Sequence, residues 1–327
     1  IDGVLPAALA AKQAGRKMIV PSGNGAEAGL AGSEHIYTAR TLMEVVHHLR
    51  GDKCLPKALA QIDFIDAPML DMADVRGQQS ARRAMEIAAA GGHHILLIGS
   101  PGCGKTLLAS RLPGILPMAS DEEAIESAAI ASVSGRGLDL TRFRQRPFRS
   151  PHHTSSAVAL AGGGTQPKPG EISLAHNGVL FLDELAEWDR KSLEVLRQPL
   201  ESGTVSISRA ANTAEFPARF QLVAAMNPCP CGWFGDNSGR CRCTADAIER
   251  YRGKLSGPLL DRIDIHLAMS RISHEELHLN APLGESSAVI RERVIKARDR
   301  QRQQSGVCNA HLSQSQLKQL CQLSDGN

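Results

Sequence analysis

Three short apolar runs punctuate the middle of the chain: Ile95-Leu96-Leu97-Ile98, Val179-Leu180-Phe181-Leu182 and Phe220-Gln221-Leu222-Val223-Ala224-Ala225. Runs of four to six residues without strict alternation mark strands buried on both faces, and strands separated by helical stretches form a parallel sheet covered on both sides. A helix around Gln78 to Ala90, stopped by Gly91-Gly92, precedes the first of them. Upstream, residues 1 to about 52 predict a helix over Leu5 to Ala14, a strand over Lys17 to Pro21, a Gly-rich loop and a helix over Ala39 to Leu49. Between these blocks the pattern is weak and broken by Pro56 and Pro68, which predicts a linker over 53–70. After about residue 272 the chain turns polar and helical. No apolar run approaches the roughly 18 residues of a membrane span.

With 42% hydrophobic and 22% charged residues in 327, the composition excludes a disordered, collagen-like or coiled-coil chain. The formal net charge of +3 says little about partners, but its distribution is uneven. Arg136, Arg142, Arg144, Arg146 and Arg149 share their stretch with one acid, Asp139. Arg291, Arg293, Lys296, Arg298, Arg300 and Arg302 share theirs with Glu292 and Asp299. Each run reads either as a solvated face or as a contact for nucleotide or nucleic-acid phosphates. The chain opens at Ile1 with no basic and apolar leader, as at a cut edge. Eight cysteines without a secretory signal point to a reducing, cytoplasmic compartment.

Chemistry enters directly after the first strand run. Gly99-Ser100-Pro101-Gly102-Cys103-Gly104-Lys105-Thr106 fits the phosphate-loop pattern G-x-x-x-x-G-K-[ST], with a strand before it and a helical Leu107-Leu108-Ala109 stretch after it. Glycines let backbone N–H groups turn inward on phosphate oxygens, and the helix N-terminus adds its positive end. Lys105 is assigned to the β and γ phosphates of ATP and Thr106 to Mg²⁺. The second run ends in Asp183-Glu184, at the sheet edge where α/β proteins bind ligands. Asp183 would hold Mg²⁺ and Glu184 would orient and deprotonate the attacking water; an acidic helix cap is the alternative. Asn227 follows the third run, where it could position water or serve only as a turn residue before Pro228.

In this order, together with Leu259-Leu260-Asp261-Arg262-Ile263-Asp264, these motifs resemble an AAA+ ATPase. Pro147-Phe148-Arg149-Ser150-Pro151-His152-His153-Thr154 and Pro167-Lys168-Pro169-Gly170-Glu171-Ile172-Ser173-Leu174-Ala175-His176-Asn177-Gly178 resemble the magnesium-chelatase-like subfamily, specifically the ComM (YifB) competence-protein family. The resemblance implies a partial Lon-protease-like α/β domain over 1–52, an AAA+ core of parallel sheet and flanking helices over 71–271, and a partial helical lid over 272–327. It makes Asn227 sensor 1 and Arg262 an arginine finger offered to a neighbouring subunit, hence a homo-hexameric ring; a salt bridge from Arg262 to Asp261 or Asp264 is the alternative. It also implies a loop inserted within 160 to 174, and a hairpin built from 204 to 208 and 214 to 219 with Arg209 at a tip facing DNA. Leu5 stands where Lon-type proteases carry a catalytic lysine, which argues against peptidase activity. No Leu-Ser-x-Arg stretch supplies a sensor 2 arginine before Asn327. The implied function is an ATP-driven motor on single-stranded or branched DNA, a branch-migration helicase serving recombination during natural transformation. A chelatase-type ATPase that drives metal insertion with a partner subunit is the competing reading.

Between Asn227 and Arg262 lie Cys229-Pro230-Cys231 and Cys241-Arg242-Cys243. In extended chain, residues i and i+2 point to one side, so each pair can offer two thiolates to one ion, and four thiolates suit tetrahedral Zn²⁺. Free thiols or redox chemistry remain open. Trp233, Phe234, Arg240 and Arg242 beside them could stack on and neutralise nucleic acid. His152 and His153, consecutive and expected to point apart on a strand, predict a structural or polar-loop role.

Overall fold

A computed structural model describes residues 1–60, 69–165, 167–209, 212–271 and 283–321, with the side chains of Arg209 and Asn212 also excluded. Its centre is a five-stranded parallel sheet in the order β11-β3-β10-β7-β4. These strands are β3 (Ile95–Gly99), β4 (Phe148–Arg149), β7 (Val179–Leu182), β10 (Gln221–Met226) and β11 (Ile265–Met269). The three apolar runs are the three inner strands, and β7 and β10 are buried at every position. Alternate side chains feed two cores. Leu96, Leu180, Leu182, Leu222 and Ala224 face one layer with Trp188 and Tyr251. Ile95, Leu97, Val179, Phe181 and Val223 face the other with Met85, Leu108 and Ile115.

The two edge strands escape the sequence pattern for physical reasons. In β11 exposed His266 and Ala268 alternate with more buried neighbours, so no continuous apolar run forms. In β4 only two residues pair, at the register Phe148↔Val179.

The amino-terminal layer holds the helix Val4–Gln13 and a parallel pair, β1 (Met18–Pro21) with β2 (Ile36–Ala39). β2 corrects the expected helix start at Ala39. The helix is Leu42–Arg50, because Thr41 accepts from the Glu44 N–H while the Glu44 carboxylate accepts from the Arg40 N–H at 2.7 Å, a reciprocal cap. The first part of the expected linker is a strap on β2: Thr38 N–H donates to Pro56 O and Ala58 N–H to Ile36 O. Residues 61–68 of that linker lie outside the described residues. Leu5 is fully buried in the core this layer shares with Ala124 and Ala128 of the helix Asp121–Ser134. Two small hairpins complete the fold: β5 (Gly162–Gly163) with β6 (Lys168–Pro169), and β8 (Thr204–Arg209) with β9 (Asn212–Pro217). They occupy the places expected for the inserted loop and for the hairpin before β10.

Every arginine of the first run, and Arg291, Arg293 and Arg298 of the second, has a partner within the protein. In the first, Arg136 and Arg149 both bind Glu171, Arg142 pairs with Asp139, Arg144 with Asp121, and Arg146 with Glu123. Arg146 also donates to the carbonyls of Pro117 and Asn177. In the second run, the helix Ser287–Ser305 lies against the helix Gln79–Gly91. Arg293 is clamped between Glu86 and Glu285. Arg291 donates to Gly114 O, and buried Arg298 donates to Ala89 O at 2.7 and 2.9 Å. Arg146, whose side chain is 8% exposed, and buried Arg298 thus act inside the protein, whereas Arg136, Arg142, Arg144, Lys296, Arg300 and Arg302 are exposed, as either a solvated face or a phosphate contact requires. Residues 272–282 and 322–327 of the expected lid lie outside the described residues. Among the described residues, no helix is long and apolar enough to cross a membrane.

Candidate nucleotide site and cysteine cluster

The carboxyl ends of β3, β7 and β10 meet at one edge because the three strands are adjacent and parallel. From β3 the chain enters the 99–106 loop, where Gly102 and Gly104 have φ of 77° and 96°. A Cβ placed on either would meet nothing within 4 Å, so glycine is needed there for the left-handed backbone, and the space beside it is open. The helix Lys105–Ala109 starts directly behind. Lys105 is buried, and its Nζ donates to Gly99 O (2.6 Å), Ser100 O (3.1 Å) and Asn227 Oδ1 (3.2 Å). Cys103 lies beneath the loop, fully buried, and burial pushes its thiol up.

From β7, Asp183 accepts from Thr106 Oγ1 at 2.8 Å through one carboxylate oxygen and from the Glu184 N–H at 2.9 Å through the other. Trp188 Nε1 donates to the Asp183 carbonyl. Glu184 stands in the left-handed region at φ 51°, and its Oε2 lies 3.0 Å from His153 Nδ1. Lys105, Thr106, Asp183, Glu184 and Asn227 thus share one edge. A buried cation, a hydroxyl on a carboxylate and an open glycine cradle fit a nucleotide phosphate chain with Mg²⁺.

His153 was not expected here. His152 and His153 lie at a turn after β4 with ring centroids 4.2 Å apart, so they do not point to opposite sides as strand residues would. The sequence offered no sign that β4 and β7 adjoin, which is what carries His153 to Glu184. Gln78 is another contributor without a local signal: its Nε2 donates to Cys103 O and Ser270 O, tying the 99–106 loop to the end of β11.

Arg262 follows the helix Gly257–Leu260 and bonds through its guanidinium to Glu201. That partner corrects the alternative of Asp261 or Asp264; Asp264 instead binds His93 at 2.9 Å. None of the hydrogen bonds among the described residues joins Arg262 to the 99–106 loop. Arg209 is the last residue of β8, opposite Asn212, and its side chain lies outside the described residues.

The cysteines converge. All four sulfurs of Cys229, Cys231, Cys241 and Cys243 lie within 4.8 Å of one another. Two backbone N–H groups, of Trp233 and then Arg242, hold the Cys231 thiol down at about 6. Two guanidinium groups approach the Trp233 ring, Arg240 at 4.8 Å and Arg271 at 5.5 Å from its centroid, and Arg252 lies over the exposed Phe234.

Residues 71–277 match the family described as magnesium chelatase, subunit ChlI, and residues 284–327 match the C-terminal domain of the same subunit. The chain belongs to the magnesium chelatase ChlI family. Within this family of AAA+ ATPases it is similar to competence protein ComM of Haemophilus influenzae, with 48% identity over 330 residues. It is also similar to the uncharacterized protein YifB of Escherichia coli, with 46% identity over 323 residues. Each comparison covers 99% of this chain, which spans 64% of ComM and 63% of YifB. An uncharacterized MCM-type protein of Methanocaldococcus jannaschii is 27% identical over 188 residues, 56% of this chain and 21% of that protein.

Proposed function

We propose that the protein is an ATP-hydrolysing ring motor that acts on DNA, as a branch-migration helicase in recombination during natural transformation. The observation that carries the ATPase part is the meeting of Lys105, Thr106, Asp183, Glu184 and Asn227 on one sheet edge beside an open glycine cradle. When bound, Mg²⁺ supplies charge neutralisation on the β and γ phosphates. Thr106 and Asp183 would hold it, and Lys105 would exchange its loop carbonyls for phosphate oxygens. Glu184 takes the proton of the attacking water, with one of its oxygens steadied by His153, while Asn227 orients that water. Arg262, bonded to Glu201 and absent from its own chain's site, fits a finger presented to the next subunit of a homo-hexamer.

The DNA part is supported by similarity to a competence protein. Its candidate contacts are Arg209 and the exposed members of the arginine runs, Arg136, Arg142, Arg144, Lys296, Arg300 and Arg302. ATPase rate measured on the intact protein, with and without single-stranded or forked DNA, tests the reading. Stimulation by DNA with salt-sensitive binding is expected; neither appearing would defeat the DNA motor. The family match favours one competing reading, a chelatase-type ATPase that drives metal insertion with a partner subunit. Stimulation by an acceptor subunit instead of DNA would select it.

A further inference from the structure

The cysteine cluster begins two residues after Asn227 and lies against the nucleotide edge, not out on a remote loop. Three of its sulfur pairs are 3.4 Å (Cys229–Cys231), 3.9 Å (Cys229–Cys241) and 3.8 Å (Cys231–Cys241) apart. A tetrahedron with Zn–S bonds of about 2.3 Å has edges of about 3.8 Å, whereas a disulfide needs about 2.05 Å. Cys229 is fully buried, and its sulfur accepts from the Phe234 N–H at 3.3 Å, the kind of outer hydrogen bond that fixes a metal thiolate.

The turn that joins the first cysteine pair to this N–H is closed by Gly232, whose N–H donates to Cys229 O at 2.9 Å. Gly232 has φ 84°, and a Cβ there would fall 2.8 and 2.9 Å from Cδ and Cγ of Pro101 and 3.8 Å from Cγ of Asn227. The turn therefore lies close beside Pro101 of the 99–106 loop, with Asn227 next to it. Arg252 anchors the other side by donating to Pro228 O.

We propose that Cys229, Cys231, Cys241 and Cys243 bind one Zn²⁺ as thiolates, and that the filled site is a positioning element that holds the Gly232 turn against Pro101 and so sets Asn227 relative to Lys105. Each Zn–S bond forms as a thiol gives its proton to solvent, so no oxidant or reductant takes part. The positioning half rests on the nucleotide site proposed above; the zinc half does not.

The test uses the whole chain, purified without chelator. Elemental analysis should find one zinc per chain, and replacement by Co²⁺ should give the absorption of a tetrahedral tetrathiolate; no bound metal overturns the proposal. The double substitution Cys241→Ser and Cys243→Ser should lose zinc and weaken binding of a fluorescent ATP analogue. Should that variant not fold, Gly232→Ala decides: it should keep its zinc while binding the analogue about tenfold more weakly, because a methyl is forced onto Pro101 and the left-handed backbone of the turn is strained. Unchanged binding in a folded Gly232→Ala protein overturns the positioning role. Wild-type protein that holds zinc but does not bind the analogue would instead overturn the nucleotide-site reading.

Discussion

The 99–106 loop and the arginine runs are both written in residues that recognise phosphate, and the folded chain treats them differently. The loop lies at a strand edge with two left-handed glycines bordering open space, while its Lys105 is held by loop carbonyls and Asn227. In the runs, Arg149 is bound to Glu171, Arg293 to Glu86 and Glu285, and Arg298 to the Ala89 carbonyl. Charge density along a sequence therefore does not by itself mark an interface, because the fold gives many of these charges internal partners. Arginine, with five donors in a fixed fork, is also well suited to tying one element to another.

That contrast can be broken by experiment. The largest effect should come from the open edge: Glu184→Gln should leave nucleotide affinity near wild type while turnover falls by about 10²-fold or more, read as kcat against analogue affinity. Equal hydrolysis would remove Glu184 from its role. Next, Arg298→Ala should lower unfolding stability by about 2–3 kcal/mol in urea titration, since it strips two buried hydrogen bonds from Ala89 O. Burial holds this guanidinium down at about 10, still charged at neutral pH. If Arg298→Ala left stability intact and weakened DNA binding, the division between open and internal cations would fail.

A third, pH-dependent effect belongs to His94, whose Nδ1 accepts from the Leu222 N–H between β3 and β10. Burial pulls its pKa from 6.5 to about 4, so the folded state binds its proton less readily than the unfolded state. Its contribution is present above pH 6.5 and is lost as pH falls toward 4, on the order of 3 kcal/mol in all. Thermal melts from pH 7 to 4 should show that loss, and a His94→Gln variant should show less of it. The smallest effect is expected at Arg142, whose pair with Asp139 is exposed at 3.7 Å: Arg142→Ala should change stability by less than about 0.5 kcal/mol.

The central strands, the phosphate loop and Asp183-Glu184 could be read in the sequence because each is a contiguous word with its own backbone logic. So could the cysteine pairs, though not the Pro101 contact that gives their position meaning. What stayed hidden depends on partners distant in sequence. Glu86 is 207 residues from Arg293 and His93 is 171 from Asp264, and no local pattern announces either pair. β11 stayed hidden because one of its faces is wet, and His153 because β4 is too short to signal a strand.

Glu184 carries one more implication. A glutamate held at φ 51° pays roughly 1–2 kcal/mol for a backbone that glycine or asparagine adopts more easily. Thermostability and turnover therefore pull this position in opposite directions. A library of variants selected for heat resistance alone should drift away from the carboxylate here, while one selected for ATP turnover should keep it and recover its stability elsewhere.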